Sequence, residues 1–216
     1  MGRNVEIKAA ARDWQAQMAR AAALASLRED LRQEDVFFHS ARGRLKLRTV
    51  ATGSGETASL ISYNRADTPG PTASDYVLCP VADAAELCRL LAAALGRQAT
   101  VRKHRSVFYC GQTRVHFDDV EGLGRFIELE VVLRPEQTVA GGAALARAWM
   151  ERLLIREEDL VTGAYADALT GGGGIGANLG TNPTFTAAMP QAFPASEGGS
   201  AVPKLARMGG GGDASP

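Results

Sequence analysis

The residues with chemistry to offer recur two apart along the chain. In Phe126-Ile-Glu-Leu-Glu-Val-Val-Leu133, Glu128, Glu130 and Val132 fall on one strand face. Ile127, Leu129, Val131 and Leu133 fall on the other, because strand side chains alternate. Asn4-Val-Glu-Ile-Lys8 repeats the pattern, with Asn4, Glu6 and Lys8 opposed to Val5 and Ile7. Arg44, Lys46 and Arg48 oppose Leu45 and Leu47, and Arg114, His116 and Asp118 oppose Val115 and Phe117. Lys103 and Arg105 share a face, as do Tyr63 and Arg65. Basic members of the set (Lys8, Arg44, Lys46, Arg48, Arg65, Lys103, Arg105, Arg114) outnumber the acids Glu6, Asp118, Glu128 and Glu130. Arg forks and Lys point charges suit polyphosphate oxygens. A few carboxylates suit a hard divalent cation that the phosphates also hold. Together they fit a metal–triphosphate complex.

Such strands pack in one of two ways. Either the apolar faces make a core and the charges meet water, or the sheet closes and the charges line a wet lumen. The second needs helices over the outward apolar faces, and the chain supplies candidates. A helix is expected from an Asp13 cap to about Asp30, with Trp14, Met18, Ala21, Ala22, Ala25 and Leu31 at helical spacing. Gln33 to Phe38 reads as a short strand, then Arg44–Arg48, Leu60–Arg65 and Tyr76–Val81 as further strands. Asp83 caps a helix with a Leu87, Leu90, Leu91, Leu95 stripe that stops at Gly96. Strands over Val101–Tyr109 and Thr113–Asp118 flank a tight turn at Cys110–Gln112. After the glutamate strand, residues 141–156 read as a helix with Leu145, Ala148, Trp149 and Leu153 on one side. A short helix is expected over 159–169.

Composition narrows the classes. The 216 residues balance 24 Lys and Arg against 24 Asp and Glu, which argues against non-specific nucleic-acid binding. Cys79, Cys88 and Cys110 form no CxxC pair, so neither a disulfide framework nor a cysteine zinc site is expected. His39, His104 and His116 lack zinc spacing, and no GxSxG nucleophile elbow occurs. His116 beside Asp118 reads as a substrate contact rather than a catalytic dyad. No stretch is long enough to span a bilayer, and no signal-peptide core is seen, so a cytoplasmic location is expected. Residues 170–216 hold two four-glycine runs with Ser, Pro and Ala between them. They lack a Lys-Ser/Thr phosphate-loop signature and are expected to be a disordered tail.

The ordered motifs resemble those of the CYTH family, the triphosphate tunnel metalloenzymes, which include class IV adenylate cyclases and thiamine triphosphatases. The resemblance covers residues 1–169. It rests on RNVEIKA, QEDVFF followed by GRLKLR, LISYNR, VRKHR, GQTRVHFDDVEGLGRFIELEV and GAYADAL. It implies an α+β, mainly β fold: a closed antiparallel eight-stranded barrel forming a tunnel, with helices outside. It also implies Mg²⁺ or Mn²⁺ as cofactor, with Glu6, Asp118, Glu128 and Glu130 as metal ligands. Lys8, Arg44, Lys46, Arg48, Arg65, Lys103, Arg105, Arg114 and His116 become the substrate set, with Lys8 and Arg105 catalytic. The implied substrate is a nucleoside or organic triphosphate, or tripolyphosphate, and the implied assembly a monomer or homodimer. The chain most resembles the cyclase branch, with triphosphate hydrolysis or binding alone as alternatives. The family's Glu-x-Glu-x-Lys signature has its first glutamate replaced by Asn4.

Overall fold

The computed structural model describes residues 2–171; from residue 172 onward the expected tail lies outside the described residues. Strands β1 (Gly2–Ala10), β2 (Leu27–Phe38), β3 (Arg44–Thr52), β4 (Gly55–Arg65) and β5 (Thr72–Val81) are followed by β6 (Arg97–Cys110), β7 (Thr113–Val120) and β8 (Gly124–Val132). They close into a barrel in the order β1-β5-β4-β3-β2-β6-β7-β8, with every pairing antiparallel. The expected eight-stranded barrel is what forms. Two meanders, β2 to β5 and β6 to β8, are joined by β1 on one side and by the long β2–β6 ladder on the other.

The register carries the alternation around the whole barrel. Lys8 lies opposite Glu128, Glu128 opposite His116, and Asp118 opposite Arg105. Asp35 lies opposite Arg48, and Arg65 opposite Ser74. These side chains face inward. Val5, Ile7, Val115, Phe117, Ile127, Leu129 and Val131 face outward and are buried under α1 (Trp14–Leu24) and α3 (Val139–Leu153). Helix α2 (Ala84–Leu95) covers the outward Val36, Phe38 and Leu47. The hydrophobic effect thus acts on the outside of the sheet, which leaves the inside free for charge.

One helix does not stay outside. Helix α4 (Tyr165–Leu169) lies across one end of the barrel. There Val161, Tyr165 and Ala166 join the inward-facing Phe37, Val101, Val120 and Phe126 in an apolar plug. The single helix expected over 159–169 is instead a 3-10 turn at Glu157–Asp159, an extended stretch, and then α4. Two things enforce the break. Val161 donates its N–H to the Lys8 carbonyl, and Gly163 takes φ +78, which a helix does not allow.

The first helix is also shorter than its periodicity predicts. It ends at Leu24, and Leu27 onward is strand. Leu27-Arg-Glu-Asp-Leu-Arg has helical composition, but it pairs residue for residue with β6, and that ladder overrides propensity. The apolar stripes shift too. In α2, Leu87 and Leu91 pack inward while Leu90 and Leu95 stay exposed. In α3, Gly142, Ala146, Trp149, Met150 and Leu153 are buried and Leu145 is exposed.

Gly142 marks where α3 presses on β1. A Cβ there would lie 2.5 Å from Leu133 Cδ2 and 2.8 Å from Val5 Cγ2. Gly142→Val is therefore expected to lower stability by about 1–3 kcal/mol through overpacking, read as a lower urea midpoint at unchanged slope.

Candidate active site

The floor of the lumen is built around Asp118, which is fully buried. Lys103 Nζ reaches its Oδ2 at 2.8 Å. Arg105 grips it bidentately, Nε to Oδ1 at 2.5 Å and Nη2 to Oδ2 at 2.6 Å. The Tyr165 hydroxyl donates to Oδ2 at 3.1 Å. Arg105 also bonds Glu128, whose Oε1 is 3.4 Å from Lys8 Nζ. Lys8 Nζ sits 3.7 Å above the Tyr165 ring and donates to the Gly163 carbonyl at 3.2 Å. Burial alone would keep these carboxyls protonated. The bases reverse that: Arg105 and Lys103 hold Asp118 below its usual range, and Lys103, Arg105 and Lys8 hold Glu128 well below it. Burial, Glu128 and Asp118 push the Tyr165 phenol well above its ordinary value, so it keeps its proton and donates.

The opposite wall is organised by Asp35. Lys46 Nζ lies 3.0 Å from its Oδ2, Arg48 bonds both oxygens at 2.8 and 2.9 Å, and Gln33 Nε2 donates at 3.1 Å. Burial favours protonation of Asp35, but Arg48 and Lys46 hold it far below the carboxylate range. Burial and Arg48 together lower the Lys46 ammonium to about 8, against the pull of Asp35.

Nearer the other end of the barrel lies an acidic pole. Glu6 and Glu130 face each other directly across β1 and β8. Like charges so placed repel unless something neutralises them. Arg65 Nη1 meets Glu6 at 3.2 Å, and Asn4 Nδ2 donates to Glu130 at 2.7 Å. Arg114 Nη1 is 3.3 Å from Glu130. His116 lies between Glu128 and Glu130, at 3.9 and 3.7 Å, and burial and Arg105 lower its pKa, so its imidazole stays neutral. Three buried polar atoms here have no partner among the described residues: Asn4 Oδ1, Arg65 Nε and His116 Nδ1.

The donor chemistry of this pole fits a hard cation. No three His, Cys, Asp or Glu side chains among the described residues converge enough to hold a metal on their own. Two carboxylates and the orphaned Asn4 carbonyl remain. That is the sparse oxygen set with which Mg²⁺-type ions bind when phosphates and water complete the shell. Asp118, expected as a metal ligand, lies apart from this pole, with Arg105 on its Oδ1 and Lys103, Arg105 and Tyr165 on its Oδ2. Arg44 also stands apart from the expected phosphate set. Its guanidinium is held by Asp67 at 2.7 Å and Asp167 at 2.9 Å, at the plugged end. Lys8, Lys46, Arg48, Arg65, Lys103 and Arg105 do come together in the lumen, with Arg114 toward its open end.

Sequence reading missed Asp35, Gln33 and Tyr165. Asp35 alternates with Gln33 and Phe37 within the strand expected over Gln33–Phe38, but a lone acid on a short strand does not disclose its cross-strand partners Arg48 and Lys46. Tyr165 lay in a segment read as an outer helix, and only its contacts to β1 and β7 reveal it. The GAYADAL motif was the one available signal.

An inside-out barrel, apolar without and predominantly cationic within, is the class these features define. The chain belongs to the CYTH family: the sequence model of the CYTH domain matches residues 2–165. The PH1012 protein of Pyrococcus horikoshii OT3 has the same fold at 19% identity and TM-score 0.63, covering 76% of this chain and 98% of that one. A proposed adenylate cyclase from Vibrio parahaemolyticus matches at 16% identity and TM-score 0.63, over 77% and 97%. A chain of the Schizosaccharomyces pombe Mediator head module matches at 8% identity and TM-score 0.55, over 70% and 94%. At these identities the likeness establishes the barrel alone. No curated protein matches the chain by sequence. No helix among the described residues is long and apolar enough to cross a membrane.

The buried lysines yield a pH signature. Lys8 and Lys46 are both lowered from 10.5 to about 8, chiefly by burial. A bound polyanion favours their charged forms and raises these values. Between pH 8 and 10.5, tripolyphosphate binding is therefore expected to take up protons, and affinity to fall as pH rises. Calorimetry in buffers of differing ionisation enthalpy measures the uptake, and Lys46→Met is expected to reduce it.

Proposed function

We propose that this CYTH protein is a divalent-metal-dependent triphosphate-processing enzyme of the cytoplasm. Its activity is most like that of a class IV adenylate cyclase, converting ATP to cyclic AMP and pyrophosphate. The observation that carries this reading is the separation of charge along the lumen. A cationic floor of Lys8, Lys103, Arg105, Lys46 and Arg48 lies beside the plug, and the Glu6, Glu130 and Asn4 pole lies nearer the open end. A triphosphate entering with its terminal phosphate first puts its β- and γ-groups on the floor and its α-group at the pole. The floor residues then hold the two phosphates that leave as pyrophosphate and neutralise the charge developing on them.

Glu6 and Glu130, with the Asn4 carbonyl and Glu128 beside them, are the residues that would hold Mg²⁺ or Mn²⁺. Such an ion polarises the phosphate oxygens at the reacting phosphorus and lowers the pKa of a coordinated nucleophile. Arg65 meets Glu6 at 3.2 Å and orients it. Arg105 bridges Asp118 and Glu128 and so joins the floor to the pole. In the cyclase the 3′-hydroxyl of the ribose attacks the α-phosphorus, and the bond to the bridging β-oxygen breaks.

Triphosphate hydrolysis is a second reading, and Lys8 favours it. At the deep end of the lumen its ammonium, 3.4 Å from Glu128 and 3.2 Å from the Gly163 carbonyl, is placed to hold the terminal phosphoryl group while water attacks its phosphorus and gives up its proton to solvent. Substrates for that reaction are thiamine triphosphate or inorganic tripolyphosphate.

Product analysis separates the two. ATP, thiamine triphosphate and tripolyphosphate are each incubated with Mg²⁺ and with Mn²⁺. Cyclic AMP and pyrophosphate are expected from ATP, with turnover at limiting metal reduced at least about tenfold by Glu130→Gln. Orthophosphate without cyclic AMP would identify a hydrolase, and tight binding without product a non-catalytic CYTH protein.

A further inference from the structure

Helix α4 lies across one end of the lumen, and the inward side chains beneath it are far less exposed than Arg114 at the other end. Asp118 and Lys103 side chains are 0% and 3% exposed, Glu128 and Arg48 22% and 25%, and Arg114 44%. Lys8 and Gly2 share the inward face of β1 six residues apart. That is roughly 20 Å along the strand at about 3.3 Å per residue. Three linked phosphates seated on the floor leave the outer part of this path unfilled.

What lines the outer part is aromatic and apolar. Tyr76 lies opposite Gly2 in the β1–β5 ladder and opposite Tyr63 in the β4–β5 ladder, which turns it inward. Its ring lies across β1: a Cβ on Gly2 would meet Tyr76 Cζ at 2.4 Å. Only a residue without a side chain leaves room for the ring there. Burial and nearby Glu130 raise its phenol pKa, so the ring is neutral, and Arg114 is the cation beside it. Among the described residues the Tyr76 hydroxyl makes no hydrogen bond. Tyr109, the other tyrosine of this end, is committed to Glu29 at 2.6 Å. Leu78 is on the same face as Tyr76, opposite Ile61, and half exposed.

We infer that Tyr76, laid over Gly2 and flanked by Leu78 and Arg114, is the platform for a planar heteroaromatic group on the triphosphate. Tyr76 is then the specificity-determining residue between organic and inorganic substrates. This rests on the triphosphate reading of the lumen and adds the substrate class. A bare tripolyphosphate has nothing to place on an aromatic face and a leucine. A nucleoside base does, because every base presents a π-face. The thiamine ring system offers the same chemistry, and the two are separated by using both.

Calorimetry of wild type, Tyr76→Ala, Tyr76→Phe and Gly2→Ala decides the matter. The probes, each with Mg²⁺, are α,β-methylene-ATP, thiamine triphosphate at a temperature too low for turnover, and tripolyphosphate. Tyr76→Ala is expected to weaken the preferred organic ligand roughly tenfold, the usual loss on removing one stacking ring, with tripolyphosphate affinity unchanged. Tyr76→Phe keeps the ring and is expected to behave as wild type. Gly2→Ala pushes the ring aside and is expected to act in the direction of Tyr76→Ala. Equal losses for organic and inorganic ligands, or no loss for either, would overturn the platform while leaving the triphosphate site standing. Failure of wild type to bind tripolyphosphate at all would instead remove the triphosphate reading itself.

Discussion

Charge buried inside a closed sheet is the constraint from which the rest follows. Taking Lys8, Lys103, Arg105, Lys46 and Arg48 out of water is costly unless each meets an anion. Asp118 on one wall and Asp35 on the other meet that need, each gripping one lysine and one arginine. Two carboxylates at fixed strand positions thus hold most of the cationic lumen in place. The outer apolar faces, covered by α1, α2 and α3, supply the stabilisation that lets the interior remain polar.

On the triphosphate reading proposed above, this arrangement is a receptor prepared for an anion. The cations are fixed by rigid strands and by salt bridges, so little ordering remains when a ligand arrives. Several of their partners are weak enough to exchange. Lys8 and Arg65 both rest on the carbonyl of Gly163, a neutral acceptor in the segment leading to α4. A phosphate oxygen is a stronger partner for either. The acidic pole has the complementary preparation. Glu6 and Glu130 are held face to face, with the Asn4 carbonyl left unsatisfied beside them, in the position where the family signature has a third carboxylate.

Much of this was legible in the sequence because alternation is a local property. Arg44 to Arg48, Arg114 to Asp118 and the Glu128–Glu130 pair each announce a charged face within a few residues. What alternation does not disclose is partnership. That Asp118 would be saturated by Lys103, Arg105 and Tyr165 depends on the β6–β7 register and on α4, neither of which is written in any single segment. Arg44 carries the same alternation as Lys46 and Arg48, yet Asp67 and Asp167 draw it to the plugged end. Residues 27–32 have helical composition and became strand because β6 needed a partner along its whole length. The plug was hidden because a short helix over an end looks, in sequence, like a short helix on a side.

On the proposed reading, a lumen of buried cations balanced by too few carboxylates is completed by a polyanion. Thermal melting of wild type and Asp118→Asn, with and without tripolyphosphate, tests it most directly. Without ligand the variant leaves Lys103 and Arg105 short of their counter-charge, and a loss of about 3–5 kcal/mol is predicted. Saturating tripolyphosphate is predicted to raise both melting points, and the variant's by more, because the ligand supplies the missing negative charge. A variant as stable as wild type without ligand, or melting points that tripolyphosphate leaves unmoved, would contradict the account.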